Sequence, residues 1–248
     1  MVLSKERLSP PVIPFPDWYA SQAWELRQGM HVLLAGPTQS GKTVLCRLLV
    51  RFRGAVVVLG TKKRDPSLQA YIDEGYLRID HWPATRAEIR KATWEDGSVR
   101  LLVWPKVERI EDMDRYRPLF LKVLNGVFSE GLWTVVIDEG LWMSDRQGLN
   151  LGRQLSALAY GSASAGVSMY FLVQRPANLP PITWTSVTAA MLFHMGRTDD
   201  VRELASLGTY PPMDVVRSMQ NLHGYQFLAL PVRAQAEWAI SEVSPEYL

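Results

Sequence analysis

Residues Gly36 to Thr43, GPTQSGKT, stand between the apolar run MHVLLA and the amphipathic stretch KTVLCRLLVRFRG. The pattern G-x-x-x-x-G-K-[ST] works only as a turn between a buried strand and a helix. There, successive backbone N–H groups point inward at phosphate oxygens, at the positive end of the helix. The flanks meet that requirement, because Val44, Leu45, Leu48, Leu49 and Phe52 fall on one helical face. Gly36, Pro37, Thr38, Gln39, Ser40, Gly41, Lys42, Thr43 and Val44 are therefore expected to cradle the phosphates of a nucleotide. The Lys42 ammonium would reach the β- and γ-phosphates, and the Thr43 hydroxyl would ligate Mg²⁺.

The same alternation continues downstream. GAVVVLGT, VRLLVWP, LWTVVIDEG and VSMYFLVQRP read as further strands. DPSLQAYIDEG, DRYRPLFLKVLNGVFSEG and LNLGRQLSALAYGSASAG read as the helices between them. Several strands are continuous apolar runs, which is how strands buried on both faces of a parallel sheet are written. The pattern predicts an α/β fold with a mostly parallel central sheet and helices on both faces. SVTAAMLFHMG and YQFLALP read as strands that extend the sheet, with DDVRELASLG and MDVVRSMQNLHG helical between them. Four prolines in LSPPVIPFP exclude a helix or a central strand there and predict an extended arm. DWYASQAWELRQG is expected to be a short helix capped by Asp17. The expected organisation is an arm and short helix over 1–29, one domain over 30–240 and a tail over 241–248.

Asp138 and Glu139 end the strand TVVI. Beside a phosphate loop, Asp138 is placed to hold Mg²⁺ and Glu139 to align and activate an attacking water. An adjacent Asp–Glu pair points to hydrolysis coupled to work, away from nucleotide kinases and small GTPases. No Asn/Thr-Lys-x-Asp guanine-reading tetrapeptide occurs. Gln174 ends the next strand. If that strand lies between the loop strand and the carboxylate strand, its amide sits near the γ-phosphate and can report its presence.

GPTQSGKT, VVIDE and LVQRP together resemble the FtsK/HerA superfamily of P-loop DNA motors. MLFHMGRTDDVRELASLG and GYQFLALP are similar to that group's later segments, with Arg202 as the matching arginine. The resemblance spans roughly residues 30–231. It implies a RecA-like (ASCE) P-loop NTPase that hydrolyses ATP with Mg²⁺, assembles as a hexameric or pentameric ring and translocates double-stranded DNA. Glu139, Gln174 and Lys42 would be the catalytic groups. Many relatives carry an arginine just before the glutamine strand, which reaches a neighbouring subunit's nucleotide. Here that stretch is YGSASAG, so the trans-acting arginine falls to Arg146, Arg153, Arg197 or Arg202.

A chain of 248 residues is expected to have no room for a membrane anchor, a winged-helix reader or a nuclease beside the motor. That expectation favours a genome-packaging ATPase of a tailless, internal-membrane phage or related element, working in the host cytoplasm or on the virion with capsid or vertex proteins as partners. The alternative is an assembly or secretion ATPase of filamentous-phage type with no DNA track. No apolar run approaches the roughly 18 residues of a membrane span. A net charge of +2 adds little to the DNA reading, although RLLVRFR and TKKRD are local basic clusters; TKKRD, with Lys62, Lys63 and Arg64, follows a strand on the side where α/β sheets collect ligands, which leaves DNA, the nucleotide and solvent open as its contacts. His31, His81, His194 and His223 lack metal-ligand spacing, and His31 is expected to be structural. The single cysteine, Cys46, rules out an internal disulfide.

Overall fold

A computed structural model describes residues 9–176, 186–232 and 237–247. Nine described strands form one sheet: β1 His31–Ala35, β2 Ala55–Leu59, β3 Leu77–Ile79, β4 Val99–Val103, β5 Trp133–Ile137, β6 Ser168–Val173, β7 Val187–Phe193, β8 Gln226–Pro231 and β9 Ala239–Glu242. Their spatial order is β3-β4-β2-β5-β6-β1-β7-β8-β9. The first seven in that order run parallel, and β8 and β9 pair antiparallel. This is the expected mostly parallel sheet, and β6 does lie between the loop strand β1 and the carboxylate strand β5.

The described α-helices are α1 Phe15–Glu25, α2 Lys42–Val50, α3 Pro66–Asp73, α4 Arg86–Ala92, α5 Tyr116–Glu130, α6 Gly140–Ser144, α7 Gly152–Ala165, α8 Thr198–Ala205 and α9 Pro212–Gln220. They cover both faces. Val32, Leu34, Val56 and Val58 pack with Leu45, Leu49, Leu68 and Tyr71 of α2 and α3. Leu33, Ala35, Val57 and Leu59 pack with Phe120, Val123, Leu155 and Leu158 of α5 and α7. Each strand thus buries alternate residues into two different cores, so its sequence is apolar without alternation.

The arm is extended where it is described. Val12 bridges Ile240 in parallel, and the Ile13 N–H donates to the Ile240 carbonyl at 2.9 Å. Residues 1–8 lie outside the described residues. Helix α1 begins at Phe15, earlier than the sequence suggests, with Pro16 in its first turn and no side-chain cap. Proline's fixed φ suits that position, so Asp17 is not needed as the cap. Trp18 of α1 meets Phe227 of β8 edge-on, with ring centroids 4.7 Å apart. Strand β9 straddles the 240/241 boundary drawn from the sequence. His31 is structural: its Nδ1 accepts from the Met169 N–H at 3.1 Å. That requires the proton on Nε2, which lies 3.1 Å from the Ala159 carbonyl.

Candidate active site

Three parallel neighbours, β1, β6 and β5, end together, and each delivers one part of the site. Crevices at such carboxyl ends are where α/β sheets bind ligands. After β1, the Gly36 N–H donates to the Val173 carbonyl at 3.1 Å, which fastens the loop to β6. A Cβ on Gly36 would lie 2.7 Å from Phe193 Cβ and 2.8 Å from Ser40 Oγ, so only glycine fits. Gly41 takes φ +95° and forms the N-cap of α2. Pro37, Thr38 and Gln39 are exposed, Ser40 is buried, and Thr43 and Val44 are half-buried in the first turn of α2.

Lys42 is 8% exposed. Its ammonium donates to the Pro37 carbonyl at 2.6 Å, inside the curl of the loop. Burial pulls its pKa down to about 8, against the opposing pull of Asp138 and Glu139. Asp138 is also 8% exposed. Burial raises its pKa to about 6, although Lys62 and Lys42 act the other way. Its Oδ2 is buried and accepts no hydrogen bond among the described residues. Burial likewise raises Glu139. Gln174 bridges two of the three strand ends. Its Nε2 donates to Glu139 Oε2 at 3.3 Å, and its Oε1 accepts from the Thr38 hydroxyl at 3.3 Å.

The residues fit a magnesium ion. A buried carboxylate oxygen without a donor needs a cation or its water shell, and a carboxylate plus a threonine hydroxyl are the hard oxygens magnesium takes. Asp138 and Thr43 are the residues that would hold it.

Sequence reasoning left one member of this site open between DNA, nucleotide and solvent. Lys62 follows β2, next to β5, and its ammonium lies 2.9 Å from Asp65 Oδ2 and 3.9 Å from Asp138 Oδ2. Burial opposes the charged form, but Asp65, Asp138 and Glu139 outweigh it and raise the Lys62 pKa. Sequence placed Lys62 in a basic cluster; only its position at a strand end hinted otherwise. Arg146, Arg153, Arg197 and Arg202 are all exposed, and no ion pair joins any of them to Asp138 or Glu139 among the described residues.

The sheet order, the loop and the convergent strand ends define the RecA-like P-loop ATPase fold. The sequence matches no protein-family model and no curated protein. Solved structures share the fold at low identity. The DNA-packaging ATPase from Sulfolobus Turreted Icosahedral Virus is 16% identical, with a TM-score of 0.60 over 86% of this chain and 97% of that one. The genome packaging NTPase from Sulfolobus turreted icosahedral virus 2 in complex with AMPPCP is 16% identical, with a TM-score of 0.56 over 86% and 97%. The cytoplasmic domain of the Thermomonospora curvata Type VII Secretion ATPase EccC is 13% identical, with a TM-score of 0.55 over 88% of this chain and 26% of that one.

Proposed function

We propose that this protein hydrolyses ATP with magnesium and, as a ring of identical subunits, moves double-stranded DNA in a genome-packaging role. The observation that carries the reading is the path Thr38–Gln174–Glu139. It joins the loop that would hold the γ-phosphate to the carboxylate that would activate water.

In this reading Gly36 to Val44 bind the phosphates through backbone N–H groups. Lys42 leaves the Pro37 carbonyl for the β- and γ-phosphates. Thr43 and Asp138 hold the magnesium, which when bound offsets the phosphate charge. Glu139 orients a water and takes its proton, a role worth about 10²–10⁴ in rate. Gln174 trades partners between Thr38 and Glu139 as the γ-phosphate comes and goes. One of Arg146, Arg153, Arg197 or Arg202 serves a neighbouring subunit's site. The packaging role is supported by viral packaging ATPases whose own length is almost fully matched by this chain. A capsid or vertex protein would then be the docking partner, in the host cytoplasm or on the virion.

A second reading, an assembly or secretion ATPase without a DNA track, draws on the similarity to the secretion ATPase. The two are separated by the ATPase rate of the assembled protein with and without duplex DNA. Stimulation that falls steeply as salt rises supports the motor, because phosphate contacts release counterions. A rate indifferent to duplex at low salt supports the second reading and removes the first.

A further inference from the structure

The turn between β2 and α3 faces two ways. Lys62 lies against Asp65 and Asp138 at the nucleotide side. Lys63 and Arg64, the next residues, line a cleft of about 680 Å³ that adjoins the pocket of Lys62 and Glu139 through Lys63. Its other walls carry Arg78 from β3 and Lys106 from the segment after β4. The cleft lies beyond β2, on the β3–β4 edge of the sheet, away from β5, β6 and β1.

This cleft is built rather than incidental. Its floor is Trp104, which is 4% exposed and whose indole N–H donates to the Lys62 carbonyl at 2.6 Å. The Arg78 guanidinium lies 4.2 Å over that ring, and Arg78 Nε donates to the Trp104 carbonyl at 2.8 Å. Stacking plus one hydrogen bond fixes the guanidinium and leaves its terminal nitrogens without a partner among the described residues. Lys63 Nζ donates to the Glu108 carbonyl at 2.8 Å and ties the two walls together.

The charge in the cleft is not compensated. Among the described residues, Lys63, Arg64, Arg78 and Lys106 form no ion pair, as is also true of Arg90 and Lys91 at the end of α4; what sets the four apart is that they line one cleft. Of the two carboxylates on the lining, Asp65 already holds Lys62 and the Ser67 N–H. Glu108 is exposed at the rim. Four cations spread over three neighbouring strands and their following turns suit several spaced phosphates better than one compact anion. Because Trp104 is covered, no base can stack on it, so recognition would be of backbone and indifferent to sequence.

We propose that this cleft binds the phosphodiester backbone of nucleic acid. The inference rests on the reading that the protein acts on duplex DNA and gives that DNA a place. The place is mechanically apt: one short turn carries both the cleft's Lys63 and Arg64 and the Lys62 that touches the metal carboxylate.

The test is fluorescence anisotropy of a short mixed-sequence duplex with the full chain, across a salt series, with mass measured in parallel. Two double variants are compared: Arg64→Glu with Lys106→Glu in the cleft, and Arg90→Glu with Lys91→Glu at the end of α4. Each takes the formal net charge from +2 to −2. The cleft variant is expected to bind at least about tenfold more weakly at low salt, with a log–log salt slope smaller by about two. The α4 variant is expected to stay within about twofold of wild type, since only mean charge has changed. If wild type binds duplex and the cleft variant binds equally well, or both variants weaken alike, the cleft assignment falls and the DNA reading stands. If wild type binds no duplex, both fall. Should the cleft variant lose self-association while its protomer keeps duplex affinity, the cleft meets a second copy instead and the proposal is overturned.

Discussion

Gln174 and Glu139 are bonded to each other across neighbouring strand ends, Nε2 to Oε2 at 3.3 Å. The bond holds one carboxylate oxygen of the expected base, while the other end of the same amide is held by Thr38 of the phosphate loop. A glutamine so placed is sensitive to what the loop holds. Gln174→Ala is expected to lower kcat at least about tenfold while changing the Kd for an ATP analogue less than twofold, because it removes a positioning contact and no phosphate contact. Parallel turnover and equilibrium binding measurements check this. A variant that turns over normally would remove Gln174 from the mechanism.

Gly36→Ala tests the fit of the loop. The added methyl meets Phe193 and Ser40, and overpacking of this kind costs about 1–3 kcal/mol. The strain falls on the loop that Gly36 anchors to Val173. Nucleotide affinity by calorimetry is expected to drop at least about tenfold, with a smaller proportional loss in melting temperature. Wild-type affinity in the variant would show that the loop has slack.

Asp138→Asn is expected to stabilise the protein in EDTA without nucleotide. Burial raises the native pKa from 3.8 to about 6, so the ionised form is disfavoured in the fold. The native state binds more protons than the unfolded one between those values, so wild-type stability falls as pH rises through that window. The variant lacks this loss. Its advantage in unfolding free energy, measured by denaturant titration, should reach at most about 3 kcal/mol above pH 6 and vanish below about pH 4. A constant difference across pH would contradict the assignment.

Cys46 on α2 is fully buried, and burial pushes its thiol far above the usual range, only partly offset by Tyr71. The native protein is expected to resist a disulfide reagent at pH 8 and to react with one thiol in guanidinium chloride. Rapid labelling of native protein would show that α2 opens locally.

The sequence made the centre of this molecule readable because its signals are local. Strand β1, the loop and α2 form one uninterrupted segment, and Asp138, Glu139 and Gln174 each end an apolar run that only a doubly covered strand explains. The edges were less readable. Strand β3 has three residues, too few for a period. Helix α4 is short, but its start carries a capping box, Thr85 with Glu88, which was a usable signal. Strand β9 exists through its pairing with β8 and lacks a strong apolar run of its own. Lys62 reads as one of three consecutive basic residues; that its ammonium lies beside Asp138 follows from β2 and β5 being neighbours, which no local pattern states.

The central claim is that the ends of β1, β6 and β5 together cleave ATP. It is tested most directly by single-turnover hydrolysis and equilibrium binding of ATP with magnesium, comparing wild type with Glu139→Gln. The account predicts matched affinity and a rate lowered by about 10²–10⁴ in the variant. Hydrolysis by the variant at the wild-type rate, or a wild type that binds no ATP, would contradict it.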